Sequence, residues 1–138
     1  MNYLLDTCVV SEFKKKRPQR SVINWLDNQL DGSLFLSVLT IGEIEKGIRR
    51  LPDTDQKNDL ENFLENIIFR FDRHIIYLDL VVIKRWAALT AELEKKGKPM
   101  TIIDSFIAAT ALAHDLTIIT RNESDFISAD VQLLNIWK

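Results

Sequence analysis

A chain of 138 residues has the length of one domain and can bury a real core. Its 46% hydrophobic and 28% charged content, with only 3 Pro and 4 Gly, excludes a disordered arm, a low-complexity segment and a repeat array. A net charge of -2 excludes coating of nucleic acid through bulk charge, so any polyanion must be held by local basic islands. Such islands occur at Lys14–Arg17, at Lys46 with Arg49 and Arg50, and across Lys95–Lys98.

In chain order, Tyr3–Asp6 reads as a short buried strand ending in an acid, with Thr7 as the cap of a helix over Cys8–Lys14. Pro18 fits the first turn of a second helix carrying Val22, Ile23, Trp25, Leu26 and Leu30. Asp31-Gly32 marks a turn, and Leu34–Ser37 the next buried strand. Thr40 and Glu43 have capping-box spacing ahead of a helix that runs toward Arg50 and stops before Pro52. A long helix follows over Thr54–Phe69, then a strand at His74–Leu78. Asp79 caps a helix through Trp86 and Leu89 to Glu94, which the Lys-Lys-Gly-Lys-Pro run breaks. Thr101 opens an apolar helix through Ile107 and Leu112, followed by a strand at Thr117–Thr120 and a late one near Val131–Ile136. The resulting β-α-α-β-α-α-β-α-α-β-β order predicts an α/β sandwich around a mostly parallel sheet.

Four carboxylates stand beside these elements: Asp6, Glu43, Asp104 and Asp125. Strand polarity sends Asp6, Glu43 and Asp125 to the edge where parallel strands end, the usual ligand crevice of an open α/β sheet. Asp104 opens a helix that precedes a strand and is expected to reach the crevice from the side. Each acid alone has a local explanation: a capping box for Glu43, a helix N-terminus for Asp104, a turn for Asp6 and Asp125. Jointly they are harder to explain, because acids beside Leu4-Leu5 and between Ile103 and Phe106 are enclosed, and crowded like charges need a cation.

An oxygen-only donor set predicts Mg²⁺ or Mn²⁺ in place of zinc, and phosphodiester hydrolysis as the chemistry. Asp6 and Asp104 are the expected central ligands, with Glu43 and Asp125 completing the set. Thr7, Ser105, Thr120 and Asn122 are short polar groups placed to orient water or phosphate, and Lys46 and Arg121 are candidate phosphate contacts. Cys8, the one cysteine, reads as a small buried hydrophobe, and His74 and His114 fit no ligand triplet. No phosphate-binding P-loop or dinucleotide-binding glycine motif is present. No apolar run approaches the roughly 20 residues of a membrane span, and Asp6 interrupts the first apolar stretch as no secretory signal would. A cytoplasmic protein is expected.

The segments YLLDTCVVSE, LSVLTIGEIEKGIRRL, KGKPMTIIDSFIAATALAHDLTIITRNESDF and VQLLNIW together resemble the PIN-domain ribonucleases, and most closely the VapC-type toxins of bacterial toxin–antitoxin pairs. The resemblance spans essentially the whole chain and implies a single PIN domain over residues 1–138, a three-layer α/β/α sandwich. It further implies Mg²⁺- or Mn²⁺-dependent cleavage of single-stranded or looped RNA, in several members a tRNA, by a homodimer that a cognate VapB-like antitoxin inhibits. The family's acidic positions fall on Asp6, Glu43, Asp104 and Asp125, with its small polar position at Thr120. A nuclease of RNA processing or of DNA using the same site, and a catalytically silent binding module, are the alternative readings.

Overall fold

Leu4 and Leu5 point to opposite faces of one strand, and both are fully buried, which is possible only if that strand is covered on both sides. In the computed structural model, which describes residues 1–138, this strand is β1 (Tyr3–Leu5), the centre of a five-stranded sheet. The others are β2 (Leu34–Ser37), β3 (Ile75–Ile76), β4 (Thr117–Ile119) and β5 (Leu133–Leu134), in the spatial order β3-β2-β1-β4-β5. Every pairing is parallel; Leu4 lies opposite Phe35 on one side and Ile118 on the other.

Six helices make the outer layers: α1 (Thr7–Phe13), α2 (Arg20–Asp27), α3 (Val38–Arg49), α4 (Asp55–Arg70), α5 (Leu80–Lys95) and α6 (Ile102–His114). Leu5 and Ile119 belong to a core with Val9 and Val10 of α1, Val22 and Leu26 of α2, Ile44 and Ile48 of α3, and Leu64 and Ile67 of α4. Leu4 and Ile118 belong to a second core with Ile107, Ala108 and Ala111 of α6, closed by Phe126. The period-two alternation of β1 and β4 thus separates two cores, giving the three-layer α/β/α arrangement the sequence predicts. Trp86 of α5 stacks on Phe106 of α6 at 4.6 Å and fastens the two helices of the second layer.

The predicted elements occur in the predicted order, with local corrections that bear on the site. The cap of α1 is Asp6, whose Oδ1 accepts the Thr7 N–H at 2.9 Å; Thr7 is the first helical residue. The chain passes from β2 into α3 with no intervening loop, so Ser37 is both strand end and cap, its Oγ accepting the Leu39 N–H at 3.1 Å. Thr40 is therefore not the cap. It shares the buried face of α3 with Ile44 and Ile48, and Glu43 lies off that face, exposed, with no capping-box role. Helix α2 begins after Gln19, leaving Pro18 outside, and the third strand keeps only Ile75 and Ile76. Asp79 caps α5 where the sequence places it; Thr54 and Thr101, the expected first residues of their helices, are the caps just outside them.

Candidate active site

Helix α6 reaches β4 through Asp115 and Leu116 alone, Asp115 taking the left-handed conformation that ends the helix. So short a return makes α6 antiparallel to β4, and its first turn stands over the carboxyl ends of the strands. Asp104 therefore arrives at the crevice directly and not from the side. The same edge receives Asp6 from the end of β1 and Thr120 from the end of β4.

Asp6 is the most constrained of the four acids. Its N–H donates to the Ile119 carbonyl at 3.0 Å, continuing the β1–β4 ladder past the last strand residue. Its Oδ2 accepts the Thr120 hydroxyl at 2.8 Å, and that fully buried hydroxyl in turn accepts the Asn122 N–H at 3.0 Å. Burial pushes the Asp6 carboxyl above the ordinary carboxylate range; the Thr120 and Thr7 hydrogen bonds oppose the shift, and the charges of Asp104 and Glu43 add to it. Asp104 is half-buried, its Oδ2 accepting the Thr101 hydroxyl at 2.8 Å. Burial raises its pKa, the Thr101 bond resists, and the Asp125 charge raises it further.

Glu43 is exposed, and its Oε1 accepts the Thr7 hydroxyl at 3.0 Å. Thr7 thereby joins two of the acids, with its N–H on Asp6 and its hydroxyl on Glu43. Asp125 closes a 3-10 turn over Glu123–Asp125, exposed, with its N–H on the Asn122 carbonyl at 3.1 Å. Asn135 and Lys138 hold this turn through Glu123, at 3.4 and 2.9 Å.

The structure thus links all four predicted acids by charge: Asp6 responds to Asp104 and Glu43, and Asp104 to Asp125. The five ion pairs of the molecule use Glu12, Glu45, Asp53, Glu92 and Glu123, so none of the four has a cationic partner. No three His, Cys, Asp or Glu side chains meet as a preformed metal cage; the acids interact through their fields and not at a shared ligand point. Like charges around a half-buried Asp6 and Asp104, all-oxygen donors and no protein cation are conditions that a hard divalent ion relieves. This donor set fits Mg²⁺ or Mn²⁺.

Of the supporting residues, Thr7, Thr120 and Asn122 join the Asp6 network. Ser105 does not: it is buried, its Oγ accepting the Trp86 indole N–H at 2.9 Å and donating to the Ile102 carbonyl at 2.7 Å. Its role is to fasten α5 to α6. The Arg121 guanidinium lies 5.9 Å from the Trp137 ring centre, and its backbone N–H donates to Cys8 Sγ at 3.4 Å. Cys8 is half-buried, Sγ 3.9 Å from Asp6 Oδ2, and burial raises its thiol pKa. Lys46 lines a cleft of about 590 Å³ beside Glu43, with Val38, Leu39, Gly42, Gly47, Arg50 and Ile103. Arg50 was visible in sequence only as part of a basic island; the i, i+3, i+7 spacing of Glu43, Lys46 and Arg50 was the available signal.

Residues 3–131 match the model of the PIN domain, and the chain belongs to the PIN-domain family. Within that family its relatives are of the VapC and FitB type. It is 36% identical over 135 residues to toxin FitB of Neisseria gonorrhoeae (97% of each chain), and 33% identical over 136 residues to VapC ribonuclease Y4jK of Sinorhizobium fredii (98% and 97%). The plasmid stability protein StbB of Pseudomonas syringae is likewise 33% identical, with 98% of each chain covered. Among solved structures, FitAcB from Neisseria gonorrhoeae superposes with a TM-score of 0.91 at 35% identity, covering 98% of each chain.

Proposed function

We propose that this chain is a Mg²⁺- or Mn²⁺-dependent endoribonuclease, the toxin of a toxin–antitoxin pair, acting on single-stranded or looped RNA such as tRNA. The observation that carries the reading is the set Asp6, Glu43, Asp104 and Asp125, electrostatically joined and without a cation, in a chain of the PIN-domain family. Asp6 and Asp104 would be the central metal ligands, with Glu43 and Asp125 completing the set. The cation, when bound, supplies Lewis-acid activation of water and charge stabilisation at the phosphate.

The chain's own residues hold the geometry. Thr120 and Thr7 fix the two oxygens of Asp6, Thr7 also fixes Glu43, and Thr101 fixes Asp104. In the reaction a water oxygen bonds to phosphorus, the bond from phosphorus to the 3′ oxygen breaks, and the leaving oxygen takes up a proton. Lys46, beside Glu43, is placed to meet a neighbouring backbone phosphate.

Residues 1–138 act as one domain in this reading, in the cytoplasm; no helix is long and apolar enough to cross a membrane. A small cognate antitoxin is the expected partner, since the similar structures include FitAB bound to a DNA fragment. A second copy of the chain would cover the exposed apolar start of α5, where Leu80 and Val81 stand next to the exposed Tyr77.

The test is cleavage of single-stranded RNA and tRNA titrated with Mg²⁺ and Mn²⁺, with matched DNA substrates alongside. Asp6→Asn and Asp104→Asn should lose cleavage while keeping the wild-type melting temperature or exceeding it. Undiminished cleavage in both variants would refute the assignment of catalysis to this edge. Equal cleavage of DNA would favour the broader nuclease reading.

A further inference from the structure

The exposed face of α3 carries two glycines, Gly42 and Gly47, that the fold does not require. A Cβ built on either meets no atom within 4 Å, and neither has a positive φ. Glycine inside a helix is among the most destabilising choices, and on an outward face almost any residue would serve the helix better. Both glycines floor the cleft beside Glu43, whose volume lies within the range of about 300–1,000 Å³ typical of ligand pockets.

Two further features give that cleft a chemical character. Ile103, immediately before Asp104, forms an apolar wall with Val38 and Leu39, so the cleft runs between the two helices that supply Glu43 and Asp104. Lys46 and Arg50 line it one turn apart, and neither is in an ion pair, whereas their neighbour Arg49 is bound to Glu45 at 3.4 Å and faces away. An apolar slot with two uncommitted cations is complementary to a nucleotide: base against the wall, phosphate on the cations.

We propose that this cleft is a substrate subsite, holding the base and phosphate of the RNA nucleotide that flanks the scissile bond. Residues Lys46, Arg50 and Ile103 then help set which RNA is cut. The inference rests on the nuclease reading above and deepens it. Positions 42 and 47 leave the cleft floor free of side chains, and Glu43 lines it where it meets the catalytic edge.

Steady-state cleavage of one single-stranded RNA oligonucleotide by the full-length chain with Mg²⁺ tests this, using Lys46→Gln, Arg50→Gln, Gly47→Gln and the control Arg49→Gln. Gly47→Gln should raise the melting temperature while raising KM about tenfold or more, the loss of one base contact. Lys46→Gln and Arg50→Gln should raise KM and each make the fall of log(kcat/KM) with log salt shallower by about 0.7. Arg49→Gln should leave KM where it was. The proposal is overturned if Lys46, Arg50 and Gly47 variants keep wild-type KM and salt dependence while Asp6→Asn still abolishes cleavage, a result that leaves the nuclease reading standing. It is equally overturned if these variants weaken only the capture of a protein inhibitor. Failure of the wild type to cut any RNA would remove the nuclease reading and the subsite together.

Discussion

Helix α1 has a partly or wholly buried carboxylate at each end, and the two are treated in opposite ways. Glu12, near its C-terminus, is 3% exposed and accepts the Gln19 N–H at 2.8 Å, the Lys15 ammonium at 3.0 Å and the Trp137 indole N–H at 3.3 Å. The Gln19 hydrogen bond, with Lys15 and Trp137, holds its pKa below the ordinary range despite burial. Asp6, at the N-terminus, accepts the Thr7 backbone N–H and the Thr120 hydroxyl, faces other acids, and is pushed upward. Six residues apart along the chain, one acid is satisfied by donors and the other faces like charges. Burial alone therefore does not mark a functional carboxylate; the sign of the imbalance between donors and like charges does.

The largest expected effect tests the unsatisfied end. Asp6→Asn should lower cleavage by about 10²–10³-fold or more, as removal of a central electrostatic group does. In metal-free buffer the sign reverses for stability. A raised folded pKa means that the native state binds more protons than the unfolded chain, so the Asp6 contribution weakens as pH rises from the ordinary carboxylate range through the raised value. Melting curves in chelator should show Asp6→Asn at or above wild type near neutrality, with a flatter dependence on pH over that window.

Next comes the satisfied end. Glu12→Ala should cost about 3 kcal/mol, because it strips a buried cluster of three donors, and should lower Tm by about 10 °C. Glu12 has a depressed folded pKa, so its contribution is present above the unfolded pKa and lost as pH falls through the folded one. Urea titrations of wild type and Glu12→Gln from neutral to acid pH should converge as Glu12 protonates. Persistence of the full gap at low pH would contradict the hydrogen-bonded carboxylate.

Thr120→Val should cost about 1 kcal/mol in stability and about 10- to 100-fold in activity, because the hydroxyl orients Asp6 from β4. Conservative Thr120→Ser should restore most of the activity, and a variant that loses stability without activity would reduce Thr120 to a packing role. The smallest effect belongs to the surface: Lys96→Ala removes the exposed pair with Glu92 and should change stability by less than about 0.5 kcal/mol.

The fold was legible wherever the local rule and the tertiary environment agree. Leu34–Ser37 is the strand that its apolar run suggests, and Asp79 caps α5 because no nearby residue competes for the role. The start of α3 was not, because Ser37 and Thr40 are both good caps three residues apart. The choice depends on which of them must face the core, and Thr40 faces it. Ser105 points away from the acids for a related reason. Adjacency to Asp104 in sequence rotates the next side chain about 100° around a helix, here toward Trp86.

Glu12 shows the deeper limit. In sequence it is one acid before Lys14–Arg17, like any solvated helix end. Its burial depends on Trp137, 125 residues away, returning over α1.

Hydrophobic period, turn residues and helix caps determine the layered α/β architecture from the sequence alone, because they act over a few residues and depend little on what lies opposite. The same pattern nominates Asp6, Glu43, Asp104 and Asp125. Only the tertiary structure decided how they are arranged: the two-residue return from α6 to β4 brings Asp104 toward Asp6, Thr120 reaches across from β4, and no lysine or arginine pairs with the group. Those are long-range facts of register and charge, fixed by the packing of both cores against one sheet, and no local window of the chain contains them.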